Sequence, residues 1–146
     1  AALTAAETGH LVFSTLHTPS AVHTVSRIAS AYGADGQDEV RHRLSMVLQA
    51  VLSQRLVVCG DALDVAREIL VRTPAVSQLI RSGKEHQLPT VMQTGAALGM
   101  RTMDQALIRF AKGRLNHVFV IAAPRRQELG FFSFANWGRS SLAVSL

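Results

Sequence analysis

The chain has 146 residues, 48% of them apolar and 17% charged, a formal charge of +5 and a single cysteine, Cys59. That length and apolar content suit one folded domain with a sizeable core and exclude a largely disordered chain. The lone cysteine excludes an internal disulfide framework and a cysteine-built zinc site, and suits a reducing compartment. The basic residues are scattered, with nothing longer than the pair Arg125 and Arg126, so a clustered nucleic-acid surface with stacking aromatics is disfavoured. No apolar run approaches the ~20 residues of a membrane span, and no signal-peptide pattern is present.

In chain order, residues 1–7 favour helix and Gly9 ends it. Residues 11–16 form a short apolar run that reads as a buried strand of an α/β sheet. Thr18 followed by Pro19 predicts an N-cap and first helical position, opening a helix over 19–32 with Val22, Val25, Ala29 and Tyr32 on one face. After the loop YGADGQD, helical spacing of Val40, Leu44, Val47, Leu48, Val51, Leu52 and Leu56 predicts a helix over 38–56. The segments RLVV and LDVAREILV, with the turn CGD between them, read as paired strands. Thr73 and Pro74 repeat the cap-then-proline signal for a short helix ending at Gly83. A helix over 89–98 precedes Gly99. Thr102 caps a last amphipathic helix with Met103, Leu107, Phe110 and Ala111 inward and Gly113 at its end. Beyond Leu115 the sequence turns aromatic and loses helical period.

The stretch TGHLVFSTLHTPSA, residues 8–21, holds the chemistry-bearing residues. His10 and His17 are seven apart, so one continuous strand would send them to opposite faces. No third ligand or i, i+4 histidine pair accompanies them, which argues against a zinc site. Two readings stay open. The histidines can be ordinary loop residues flanking a buried strand. Alternatively, His17 lies where open α/β sheets bind ligands, beyond a strand's carboxyl end. There the start of the next helix offers amides and positive potential to a phosphate, and Ser14, Thr15 and Thr18 add hydroxyls.

The stretch ALTAAETGHLVFSTLHTPSA resembles the histidine box of the secretion ATPases that power type IV pili and type II secretion. The segment AREILVRTPAVSQLIRSGKEHQLPTVMQTGAALGMRTMDQAL is similar to the twitching-motility branch, the pilus retraction ATPases. The resemblance covers roughly residues 2–115. Assembly and type II secretion relatives carry a four-cysteine zinc insertion, and the single Cys59 therefore favours the retraction branch. That branch has a retraction helix reading Ala-Ile-Arg-Asn-Leu-Ile-Arg-Glu. Here Ala75, Leu79, Ile80 and Arg81 match it, while Ser77 and Ser82 replace an arginine and a glutamate.

The resemblance implies an α/β fold: the C-terminal part of a RecA-like P-loop ATPase core over residues 1–72, then a small helical subdomain over 73–115. Residues 116–146 form a divergent aromatic tail, expected to be non-native or disordered. It implies His10 and His17 as catalytic residues of the histidine box, Thr15 and Thr18 beside the nucleotide, and Ala75, Leu79, Ile80 and Arg81 as a coupling motif, with no metal ligands of the chain's own. The implied cofactors are ATP and Mg²⁺. The implied assembly is a cytoplasmic homohexamer, peripheral to the bacterial inner membrane, that acts on a pilus platform protein. The family's P-loop, GxxxxGK[ST], has no match here, since Gly83 and Lys84 lack the preceding glycine and the following Ser or Thr. With its opening AALTAAETGH, the sequence reads as the C-terminal portion of a longer ATPase. Two alternatives are a truncated, non-catalytic interaction module of such a motor and a type II secretion or DNA-uptake ATPase of the same superfamily.

Overall fold

The structure, a computed structural model, describes residues 1–59, 62–108 and 116–122. In chain order they form α1 (Ala2–Glu7), β1 (Val12–Leu16), α2 (Ala21–Ser30), α3 (Gln37–Val47), β2 (Leu48–Cys59), β3 (Ala62–Val71), α4 (Pro74–Arg81), α5 (Leu88–Thr94), α6 (Met103–Leu107) and β4 (Asn116–Ala122). Short 3₁₀ turns fill Ala34–Gly36, Glu85–Gln87 and Ala96–Leu98. The strands make one antiparallel sheet in the order β1-β4-β2-β3. β4 belongs to the region set apart above as a tail, and Phe13 of β1 and Leu52 of β2 pair with its Ile121 and Phe119.

One expected element divides in two. The helix expected over 38–56 ends at Val47, and Leu48 begins β2. Up to Val51 the apolar spacing fits either form. Beyond it, burial alternates as a strand requires, with Val51, Ser53 and Val57 inside and the residues between them partly exposed. Leu48 and Val51, three apart, both reach the core because the pairing with β4 shifts register between Leu48 and Ala50. The ladder with β3, from Ala50 opposite Val71 to Cys59 opposite Ala62, then outweighs the local helical period.

The core lies where α2, α3, α4 and α5 cover the hairpin. Leu44, Leu48, Val51 and Leu70 form its centre, with Val25, Val76, Ile80, Leu88 and Met92 packed around them, all 1% exposed or less. Each such side chain contributes about 1.5–3 kcal/mol over leaving it in water. A smaller cluster of Val57, Ala66, Met103 and Ala106 seats α6 on the hairpin.

The helical segment expected over 89–98 ends at Thr94, and a 3₁₀ turn follows Gly95. A side chain at Gly95 would place its Cβ 2.8 Å from the Sδ of buried Met100, so any larger residue requires the Met100 side chain to shift. Gly83 and Gly99 follow helical turns with φ of 67° and 81°, the left-handed conformation expected of residues closing a helix. Phe110, Ala111 and Gly113 lie outside the described residues.

Polar contacts fix the periphery. Arg41 donates through Nε to Oε1 of buried Glu85 at 2.8 Å, tying α3 to the turn before α5. Arg43 grips both carboxylate oxygens of Glu7 at 2.8 Å and also donates to Thr4, tying α3 to α1. The hydrogen bond from Arg43, reinforced by its charge, holds the Glu7 carboxyl below its ordinary range. A folded-state value that is depressed stabilises the fold above the unfolded value, and the contribution fades as pH falls through the folded one. Ser14, 8% exposed on the core side of β1, has a buried hydroxyl with no hydrogen-bond partner among the described residues.

Two expectations follow from these contacts. Protection of α1 amides against hydrogen exchange will fall on acidification from about pH 6 to about pH 3. Glu7→Gln will lower that protection at neutral pH and remove its acid-dependent step; an unchanged profile in the variant would show the pair idle. Ser14→Ala will raise resistance to urea by about 1 kcal/mol, because an unpaired buried hydroxyl is a net cost, and a loss of stability would contradict this.

Candidate functional site

His10 and His17 flank β1 at its two ends. Val12 and Ser14 point into the core, and the alternating positions Thr15 and His17 share the outer, exposed face. His10 precedes the strand at its other end, where Nδ1 lies 3.2 Å from Thr8 Oγ1 and 3.3 Å from the carbonyl of Ala5. At ~3.3 Å per residue along an extended chain, His10 and His17 lie ~20 Å apart. The structure thus puts Thr15 and His17 on one exposed face, turns Thr18 inward and leaves His10 with α1. Among the described residues no group of three or more His, Cys, Asp or Glu could hold a metal ion.

The turn into α2 differs from the expected one. Its N-cap is Ser20, in extended conformation, rather than Thr18, and the helix starts at Ala21. Ser20 Oγ accepts from the amide of His23 and lies 2.7 Å from that residue's Nδ1. Thr18 is 6% exposed, and its hydroxyl pairs with that of Thr24 at 2.7 Å, beneath the start of the helix. A threonine two residues ahead of the cap braces the turn from below, and Pro19 sets the bend between them.

The first amide of this helix is also committed. Ala21 N donates to Glu68 Oε1 at 2.6 Å. Glu68 sits on β3, 7% exposed, and its Oε2 accepts from Met103 N at 3.1 Å, the first residue of α6. Ser53 Oγ of β2 approaches Oε1 at 3.4 Å. A buried carboxylate therefore occupies the positive end of α2, where the sequence predicted room for a phosphate. Any phosphate approaching this end of β1 meets the side chains of His17 and Thr15. Sequence reasoning missed Glu68. Its signal was positional, since it shares a strand face with Ala66 and Leu70, both buried.

The coupling motif lies on α4, entered directly from β3. Thr73 caps it by accepting from Val76 N at 3.2 Å, as its sequence predicted. Ile80 is buried and Leu79 packs partly buried against the same core, while Ala75 and Arg81 face outward. Both departures from the motif are absorbed locally. Ser77 accepts from Arg72 Nε at 3.2 Å, and Ser82 donates to the carbonyl of Gln78 at 2.9 Å. Gln49, Arg72, Pro74, Gln78 and Arg81 line an open recess of about 740 Å³ along this helix.

A family model described as type II/IV secretion system protein matches residues 1–84. An uncharacterised protein of Escherichia coli, YggR, is 52% identical over 116 residues, 78% of this chain and 36% of that protein. A twitching motility protein of Neisseria gonorrhoeae is 52% identical over 108 residues, 73% of this chain and 29% of that protein. The type IV pilus retraction ATPase PilT of Pseudomonas aeruginosa is 49% identical over 107 residues, 73% and 31% of the two chains. A crystal structure of the pilus retraction motor PilT with bound ADP matches at a TM-score of 0.66 and 42% identity, over 74% of this chain and 30% of that one. The chain spans about a third of the length of the relatives it matches. The α/β fold expected for the C-terminal part of such an ATPase is the fold found. With a family match over residues 1–84, the chain belongs to the type II/IV secretion system protein family.

Proposed function

We propose that the chain is the C-terminal part of a homohexameric ATPase that hydrolyses ATP to retract type IV pili. It would work in the cytoplasm against a platform protein of the inner membrane. The observation that carries this reading is its likeness to the ADP-bound retraction motor, at 42% identity through a shared fold. Among the described residues no helix is long and apolar enough to cross a membrane.

Phosphoryl transfer relies on positioning and charge stabilisation more than on covalent chemistry by the protein. His17 and Thr15 share the exposed face at the end of β1, where they can donate to the terminal phosphate of ATP. Thr18, paired with Thr24, holds the turn in place. His17 thereby reports the presence of the phosphate to α2, whose start it precedes. His10, held against α1, orients the beginning of the strand. Ala75, Leu79, Ile80 and Arg81 carry the coupling role: Leu79 and Ile80 anchor α4 in the core, and Ala75 and Arg81 face a partner. The residues of this site fit a phosphate contact but supply no carboxylate to its exposed face. Mg²⁺ and the remaining phosphates would be held by a P-loop and an acidic strand end that this sequence does not spell.

The second reading is a non-catalytic subunit that docks into the hexamer of a full-length paralogue. The two separate in solution. The chain alone will show no measurable ATP hydrolysis, and turnover that His17→Ala abolishes would overturn that expectation. Joined to an upstream P-loop half, the chain will turn over ATP. His17→Ala will then lower kcat about tenfold or more with little change in KM, as for an interaction made chiefly in the transition state. Unchanged kcat would make His17 structural.

A further inference from the structure

We propose that Glu68 is the positioning residue that couples the histidine-box helix to the C-terminal helices, because one buried carboxylate holds the first amide of each. Oε1 accepts from Ala21 N at 2.6 Å and Oε2 from Met103 N at 3.1 Å. Ala21 opens α2 four residues after His17, and Met103 opens α6. These helix starts are 82 residues apart in sequence and meet on a single planar group.

The surroundings make this group a link rather than an ordinary cap. Each helix has its own cap already. Ser20 caps α2, and Thr102 with Gln105 forms a capping box on α6. Neither helix therefore needs Glu68 merely to begin. Burial leaves no bulk water to replace a lost partner, so the carboxylate must answer for one helix through its hold on the other. The position on β3 is fixed from both sides. Glu68 pairs with Ser53 across the hairpin, and the adjacent Ile69 exchanges two backbone hydrogen bonds with Arg101, at 2.8 and 2.9 Å, just ahead of α6. β3 then runs directly into α4. A displacement of α2 at the histidine box is thus felt at α6 through the carboxylate, and at α4 through the strand that carries it.

The relevance of this link to turnover rests on the histidine-box reading above, but its test needs no nucleotide, so the two can fail separately. The readout is hydrogen exchange of single amides in the 146-residue chain, with Leu44 N, deep in α3, reporting global opening. Thr18→Val removes the hydroxyl pair under the start of α2. It is expected to speed exchange of the Met103 amide about fivefold while Leu44 stays unchanged. Thr102→Val, at the α6 cap, is expected in turn to speed the Ala21 amide severalfold, because a coupling acts in both directions. In a Glu68→Gln background, where one acceptor oxygen becomes a donor, both cross-effects should vanish. Glu68→Asp, which keeps the charge and withdraws it by one methylene, should weaken both. A Met103 amide indifferent to Thr18→Val, or equally affected with and without Glu68, overturns the proposal. Should neither Glu68 variant fold, a cross-effect absent at either end overturns it and cross-effects at both ends, with Leu44 unchanged, sustain it.

Discussion

A carboxylate removed from water costs several kcal/mol unless its lone pairs are met by donors. Glu68 is 7% exposed, and its donors come from three different elements. None of the three is its neighbour in sequence. The group cannot be buried favourably until α2, β2 and α6 are all near their final places, so its burial selects one arrangement of them. The backbone amides at helix starts suit the task, since they are otherwise unpaired and lie at the positive end of the helix. The apolar core alone would hold these elements together with less exact orientation, because burial of hydrocarbon is non-directional.

That constraint reshapes how the histidine box can work. A helix start whose first amide is taken by an internal carboxylate no longer offers that amide to an incoming anion. The side chains exposed at this end of β1 are those of Thr15 and His17. Below them lie the Thr18–Thr24 pair and the Ala21–Glu68 bond. The outer part of α4 shows the same division. Val76, Leu79 and Ile80 root the helix in the core around Leu70, while Arg81 stays on the surface. The two serines that replace charged residues of the retraction helix make contacts within their own segment. The helix therefore keeps its seat in the core despite its altered charge pattern.

Where local chemistry decided the structure, the sequence was readable. β1, the β2–β3 hairpin, α4 with its Thr73 cap and the Thr102 cap of α6 all follow from apolar runs, cap-then-proline pairs and glycine stops. Legibility failed where two local signals competed. Val47, Leu48 and Val51 satisfy a helical period, yet a bulge gives a strand the same burial. At the start of α2, Thr18 and Ser20 are both competent caps with Pro19 between them. The choice went to Ser20 because Thr18 finds a buried partner in Thr24, six residues on.

Glu68 was hidden for a further reason, which bears on how such sites are read. Along β3 the face carrying Val65, Ile69 and Val71 is the more apolar one, and alternation alone would send it inward. The buried face instead carries Ala66, Glu68 and Leu70. It is small at Ala66, where Met103 and Ala106 of α6 pack, and polar at Glu68, where two helix starts arrive. A strand rule counts only hydrocarbon and cannot see donors supplied from residues 21 and 103. Burial of Glu68 is a tertiary fact, fixed by what arrives opposite the strand rather than by the strand's own pattern. An acidic residue on the buried face of such a strand is therefore a pointer to converging helix ends. The direct way to read it is to ask which helix starts in the chain still have an amide to place.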